Sequence, residues 1–469
     1  METDDPSLHV LSLAQHEAFS FLQDLDRAPV GATVDVQTLR EQLNKPLADS
    51  GLPPEQVITE LVKDVGGGLL GSASGRFYGW VIGGSVPSAL AADWLTATWD
   101  QNAALYATSP AAAVVEEVAG LWLKDILKLP SHASFAFTSG CQMAHATCLA
   151  AARHALLAER GWNVEERGLY GAPPIRILTS GQRHGSFERA VRLLGLGRDQ
   201  VVCLTSDADD RLEPAALQKA LEIEPTAPTI VLLQAGDINI GAFDDFQALI
   251  PLAKRYGAWV HVDGAFGLWA AASPRYQHLV KGVEAADSWA TDGHKWLNVP
   301  FDCGYAFIAH NEAHRASMSY RAAYLTHDED ARDEMDWNPE WSRRSRGFST
   351  YAALRELGRD GVAELIVRCC RHAHEIVMGI GSLPGAEVLW EPAINQGLVR
   401  FLATNGEDHD RRTNEVIAAI VETGEAFFGG TTWRGKRAMR VSVCNWRTSE
   451  EDVRRSIDAA ARVLAVDLR

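Results

Sequence analysis

From about residue 90 to residue 310 the chain alternates short apolar runs with stretches of helical periodicity. The runs cover 134–137, 175–178, 201–204, 229–233, 259–262, 288–290 and 304–308, and helical spacing fills most intervals, as in 111–127 and 246–256. An apolar run without polar alternation suits a strand buried on both faces, and strand–helix alternation makes neighbouring strands parallel. The pattern predicts an α/β fold: a mostly parallel sheet with helices on both faces, binding its ligand at the carboxyl ends of the strands. Before it, residues 1 to about 65 read as helical and loosely patterned, followed by a glycine-rich stretch from Gly66 to Gly84. After it, about 310–347 turns polar, and the run from Thr326 to Glu334 reads as a solvated loop. The last part, about 350–469, mixes helices with strands at 398–402 and 438–443 and reads as a small α+β domain.

Composition narrows the class. The 469 residues are 46% apolar and 22% charged, enough for a large buried core in a globular protein. A formal net charge of −17 argues against a nucleic-acid partner. The seven cysteines form neither a CxxC pair nor a zinc spacing, which suits reduced thiols in a cytoplasm. The acidic start does not read as a signal peptide, and no apolar run approaches the length of a membrane span.

The chemistry lies in an ordered pair. Trp259-Val260-His261-Val262-Asp263 ends an apolar run on a carboxylate, and the next run leads into Asp292-Gly293-His294-Lys295-Trp296. Singly, Asp263 reads as a turn cap and Lys295 as a surface lysine. Together they are the groups a pyridoxal phosphate (PLP) enzyme needs: an amine for a Schiff base and a carboxylate that keeps the pyridine nitrogen protonated. The apolar neighbours Trp289, Trp296 and Leu297 are expected to depress the pKa of Lys295. Ala265 is small enough for a ring to lie against the backbone. Cys141 and Gln142 open a helix after Thr138-Ser139-Gly140, where free amides and the helix dipole suit a phosphate. His184 follows a strand and can stack on a planar ring, His294 can orient the phosphate, and Tyr324 precedes the charged loop, where its hydroxyl can donate a proton. Trp80, Trp99, Asn102 and Tyr106 are candidates to line a substrate pocket. His372 and His374 read as a solvated helix face. No metal site, Walker loop or nucleophile elbow is found.

These residues together resemble the group II PLP-dependent amino-acid decarboxylases, the family of the aromatic-L-amino-acid, histidine and glutamate decarboxylases. The resemblance runs from about Gly75 to Thr448 and rests on Gly75–Gly79, Ser109–Glu117, Phe137–Gly140, His261–Ala265, Asp292–Trp296 and Phe301–Gly304. It implies the fold type I PLP-dependent transferase architecture, with a seven-stranded sheet. Three parts follow: 1–88 clasping a partner subunit, 89–347 binding PLP, and 348–469 as the small C-terminal domain. It also implies an amino-acid substrate and a homodimer with active sites at the interface. By the same resemblance Lys295 is the Schiff-base lysine, Asp263 the pyridine-nitrogen partner, His184 the stacking histidine, and Tyr324 the loop tyrosine that protonates the substrate carbon. Asp292 stands where the family has Asn or Asp before its His-Lys pair, and Ser342 where aromatic decarboxylases tend to have glycine and histidine decarboxylases serine. One departure is Asp237-Ile238-Asn239-Ile240, where a family threonine is lost to Ile238. The expected reaction is decarboxylation of an L-amino acid to amine and CO2. Aldehyde synthesis, transamination and β-elimination on the same fold are alternatives, and a non-catalytic homologue is a further one.

Overall fold

The computed structural model describes residues 5–320, 331–404, 406 and 408–466. Seven strands form the main sheet: β1 (Ser134–Thr138), β2 (Arg176–Ser180), β3 (Val201–Leu204), β4 (Thr229–Gln234), β5 (Trp259–Asp263), β6 (Ser288–Asp292) and β7 (Gly304–Ile308). Their order is β1-β7-β6-β5-β4-β2-β3, and only β7 runs antiparallel to its neighbours. β1, β4, β5, β6 and β7 are buried at every position, as a sheet covered on both faces requires. Alternate residues feed two cores. Ile230 and Leu232 pack with helix Cys141–Ala158 on one face, while Val231 and Leu233 pack with helix Phe246–Lys254 on the other. The edge strand β3 is the exception, with Val202 and Cys203 exposed.

A second, antiparallel sheet follows in the C-terminal part: β8 (Ala386–Trp390), β9 (Gln396–Phe401), β10 (Gly429–Trp433) and β11 (Lys436–Ser442), ordered β10-β11-β9-β8. It is reached through helix Gly347–Gly381, which kinks at Gly358. Two buried arginines tie distant segments together. Arg76 donates to the carbonyls of Leu25, Ala28, Gly424 and Glu425, joining the N-terminal helices to the second sheet. Arg343 pairs with Glu116 at 2.8 Å and donates to the carbonyls of Ala103 and Phe137.

Two sequence expectations need correction. The run expected to be a solvated loop ends on buried residues: Glu334 is 1% exposed and takes a salt bridge from Arg332 at 2.7 Å, while Asp333 accepts the amide of Tyr106. Asp333 and Arg332 also reach Tyr106 and Phe135, far back in the sequence, so local polarity misreads the run. Residues 326–330 of that run lie outside the described residues. His372 is likewise not on a solvated face. It is buried and contacts Glu375, and only His374 is exposed. Among the described residues no helix is long and apolar enough to cross a membrane.

Candidate active site

Period-two alternation turns Trp259, His261 and Asp263 of β5 toward helix Cys141–Ala158, and Val260 and Val262 toward the opposite core. β6 lies alongside in parallel, with Ser288 opposite His261 and Ala290 opposite Asp263. Asp263 and Asp292 therefore end neighbouring strands at the carboxyl edge, both nearly fully buried. The helix opens at the same edge: the Cys141 amide donates to Asp292 Oδ1 at 2.6 Å. Lys295 reaches back to Asp292 Oδ2 at 2.8 Å. The segment before helix Pro87–Trp99 crosses directly over the lysine. A Cβ on Gly83 would fall 2.0 Å from the Lys295 carbonyl oxygen, so this approach needs glycine.

The charges at this edge are interdependent. Burial pushes the Asp263 carboxyl up, but His145, with Nε2 at 3.5 Å, then His184 and Lys295 outweigh it and hold the acid well below the usual carboxylate range. Lys295 overturns an expectation. Burial does act to lower its pKa, but the adjacent Asp292 carboxylate, with Cys141 and Asp263, raises it above the ordinary lysine value. The apolar neighbours were legible in the sequence, whereas the contact with Asp292 depends on the turn between them.

The other candidates are distributed as follows. Ala265 is half-buried, and its amide donates to Asp263 Oδ1 at 3.2 Å. His294 stacks on Phe301 at 4.4 Å, accepts the Cys303 amide, and has its pKa lowered by burial, partly offset by Asp292. His184 caps helix Gly185–Leu193. It is exposed, yet desolvation by the surrounding protein lowers its pKa, with Asp263 opposing. Gln142 sits in the first turn of helix Cys141–Ala158. Trp80 packs on Phe427 at 5.2 Å, three residues before Gly83. Asn102 uses its Oδ1 to accept the Arg343 amide, Trp99 meets Phe348, and Ser342 is exposed; no described contact joins these three to Asp263 or Lys295. Tyr324 lies outside the described residues.

Sequence reasoning missed His145 and Arg440, and the part played by the thiol of Cys141. His145 stands four residues into the helix beside Asp263. The Cys141 thiol lies 4.0 Å from Asp263 Oδ1, and burial drives its pKa well above normal. Arg440 of β11 is buried near His184 with its Nε unpartnered; burial lowers its pKa and Asp237 opposes. The Asp237 departure has a local explanation: its carboxylate accepts the amides of Asn239, Ile240 and Ala242, and Asn239 accepts the Thr431 hydroxyl at 2.7 Å. The loop is thereby self-capped and joined to β10.

Comparison with known proteins resolves the class. The pyridoxal-dependent decarboxylase conserved domain matches residues 37–403. The chain belongs to this family. It is a PLP-dependent amino-acid decarboxylase, a carboxy-lyase. An aromatic-L-amino-acid decarboxylase of Bacillus atrophaeus is 25% identical over 92% of this chain and 90% of its own length. An L-2,4-diaminobutyrate decarboxylase of Rhizobium meliloti (strain 1021) is 28% identical over 79% of this chain and 74% of its own. The crystal structure of Oryza sativa TDC with PLP and tryptamine shares the fold, with a TM-score of 0.92 at 23% identity, covering 100% of this chain and 99% of that one.

The residues present fit PLP. Asp263 is a buried acid held ionised, the partner a protonated pyridine requires. Gln234, opposite Asp263 on β4, keeps a buried, unpartnered Nε2 at the same edge. Gly140 adds no side chain of its own to a helix N-terminus where Asp292 already accepts the Cys141 amide, and Gly304 packs so closely that a Cβ there would lie 2.5 Å from the Gly140 backbone. Gly304→Ala in this decarboxylase is therefore expected to cost about 1–3 kcal/mol through overpacking. Urea unfolding of the apoprotein checks this, and an unchanged midpoint would contradict it.

Proposed function

We propose that this enzyme converts an L-amino acid to its amine and CO2 at the edge formed by β5, β6 and helix Cys141–Ala158. The observation that carries the reading is the juxtaposition of an ionised Asp263 and a largely buried Lys295 on neighbouring strand ends, beside a helix N-terminus. PLP, when bound, supplies an electron-accepting ring for the pair left as the Cα–carboxylate bond breaks. Lys295 is the amine that would hold the cofactor through its aldehyde carbon and would be displaced by the substrate's amino group. Asp292 holds the Lys295 ammonium in place and can take its proton, since attack requires the neutral amine. Asp263 would keep a proton at the pyridine nitrogen, His184 would stack on the ring, and the small Ala265 would leave room for it. Cys141 and Gln142 open the helix whose N-terminus holds the phosphate, aided by His294. Arg440 supplies positive charge beside His184. Trp80, Asn102 and Ser342 are the positions we assign to substrate selection.

Tyr324 is the proton donor to Cα in this reading, and it separates decarboxylation from aldehyde synthesis on the same fold. Tyr324→Phe should lower amine formation by about 10²–10⁴-fold, with oxygen uptake and aldehyde rising as the residual products. Simultaneous assay of amine, aldehyde and hydrogen peroxide checks this; unchanged amine yield would remove Tyr324 from the mechanism.

We further infer a homodimer in the cytoplasm, divided as 1–88, 89–347 and 348–469. Helices Val36–Leu43 and Pro54–Val65 bury no residue within the chain, and Leu8, Phe19, Leu61 and Trp94 are exposed. Such an apolar N-terminal surface supports a clasp over a second subunit. The seven unpaired cysteines suit a reducing compartment.

A further inference from the structure

Behind Asp263 runs a line of buried polar groups that the reaction as described does not use. The Trp259 indole N–H donates to Ser288 Oγ at 2.9 Å, and Ser288 Oγ lies 2.9 Å from His261 Nδ1. His261 Nε2 lies 2.9 Å from His145 Nδ1, and His145 Nε2 lies 3.5 Å from Asp263 Oδ2, at the long edge of hydrogen bonding. His145, His261 and Ser288 are 0% exposed, so no solvent competes for these contacts. Strand geometry builds the line: Trp259, His261 and Asp263 alternate onto one face of β5, Ser288 faces His261 from β6, and the helix lays His145 across them.

An indole nitrogen can only donate, so Ser288 Oγ accepts there; the hydroxyl keeps one proton to give, and with that proton donated to His261 Nδ1 the line has a donor order running toward Asp263. Burial, and then His145, pull the pKa of His261 down to about 3, so that ring is neutral. A neutral His261 accepting at Nδ1 carries its proton on Nε2 and donates to His145 Nδ1. With Nδ1 of His145 accepting, its proton on Nε2 faces Asp263. In that order each donor in the line points toward the carboxylate.

We propose that His145 is a positioning residue that acts through Asp263 to keep the shared proton on the pyridine nitrogen of bound PLP, with His261, Ser288 and Trp259 fixing its tautomer. The inference rests on the assignment of Asp263 as the ring partner. A donor aimed at the carboxylate stabilises its anionic form and lowers its affinity for the proton, which therefore stays on the ring. Other groups act on Asp263 as well: Cys141 from the same helix, the Ala265 amide, His184 and Lys295. Only His145 has a buried line of donors behind it.

The test loads wild type, His145→Leu, His145→Asn and His261→Leu with PLP labelled with nitrogen-15 at the ring and records the nitrogen resonance and the PLP dissociation constant. Wild type should show a protonated ring nitrogen. His145→Leu should move the resonance toward neutral pyridine and weaken PLP binding about 10- to 100-fold, the effect of losing a hydrogen bond to a charged group. His145→Asn, which keeps an N–H donor, should stay near wild type. His261→Leu leaves His145 in place without its orienting partner and should shift the resonance the same way by less; it becomes the deciding variant if His145→Leu does not fold. A wild-type resonance in His145→Leu, or in His261→Leu where the former is not folded, overturns the proposal. A neutral ring nitrogen in wild type overturns it together with the Asp263 assignment, a result distinct from failure of His145 alone.

Discussion

Replacing Lys295 with alanine is expected to reduce amine formation by roughly a thousandfold or more, because the change removes the only nucleophilic amine assigned to the cofactor. The fold should survive it. Lys295 lies after the end of β6, and the strand itself is held by Trp289, Ala290 and its pairing with β5 and β7. Asp292 would be left without its ammonium partner but would keep the Cys141 amide at 2.6 Å. PLP should still associate with Lys295→Ala through the helix N-terminus and Asp263, but borohydride should no longer fix it to the chain. In wild type, borohydride followed by peptide mapping should place the pyridoxyl mass on Lys295. A label on another lysine, or full activity in the variant, would remove Lys295 from its role.

Asp263→Asn is expected to lower turnover by about 10³-fold with a far smaller loss of apoprotein stability. These effects separate because the charge serves chemistry more than folding. The carboxylate is 3% exposed, and removing one partner of a buried charge interaction costs stability, a cost that an isosteric amide limits. Asparagine keeps the shape and can still accept from the Ala265 amide and from His145, but it cannot hold a proton on the ring by charge. Thermal unfolding of the apoprotein and turnover of the holoenzyme should therefore move independently. A large loss of stability with proportionate loss of activity would instead mark Asp263 as structural.

Much of the main sheet was legible because parallel strands buried on both faces leave a simple trace. The run at 229–233 has no polar interruption, and β4 occupies Thr229–Gln234. The second sheet was half legible. β9 and β11 carry buried apolar residues, whereas every residue of β8 is only half-buried and β10 opens on two glycines, so neither pattern stands out locally. In the site, Asp263 and Lys295 were visible because each ends or follows an apolar run. Asp292 was visible as a motif residue, but its grip on both Lys295 and the Cys141 amide was not, since Cys141 lies far earlier in the chain. His145 looked like any histidine inside a helix. Its one sequence trace is the alternation of Trp259, His261 and Asp263, which sets three polar-tipped side chains on a single face and demands a polar neighbour across from them. The run ending at Glu334 was misread for the same reason: Asp333 takes the Tyr106 amide and Arg332 reaches the Phe135 carbonyl, both far earlier in the chain.

The central claim is that this chain releases CO2 from an amino acid and returns the amine. The most direct test incubates the PLP-loaded protein with a panel of aromatic, acidic and diamino L-amino acids and quantifies CO2 and amine together, with α-keto acid, aldehyde and hydrogen peroxide alongside. The account predicts CO2 and amine in equal amounts from at least one substrate. Keto acid, aldehyde or ammonia formed in place of that amine would contradict it.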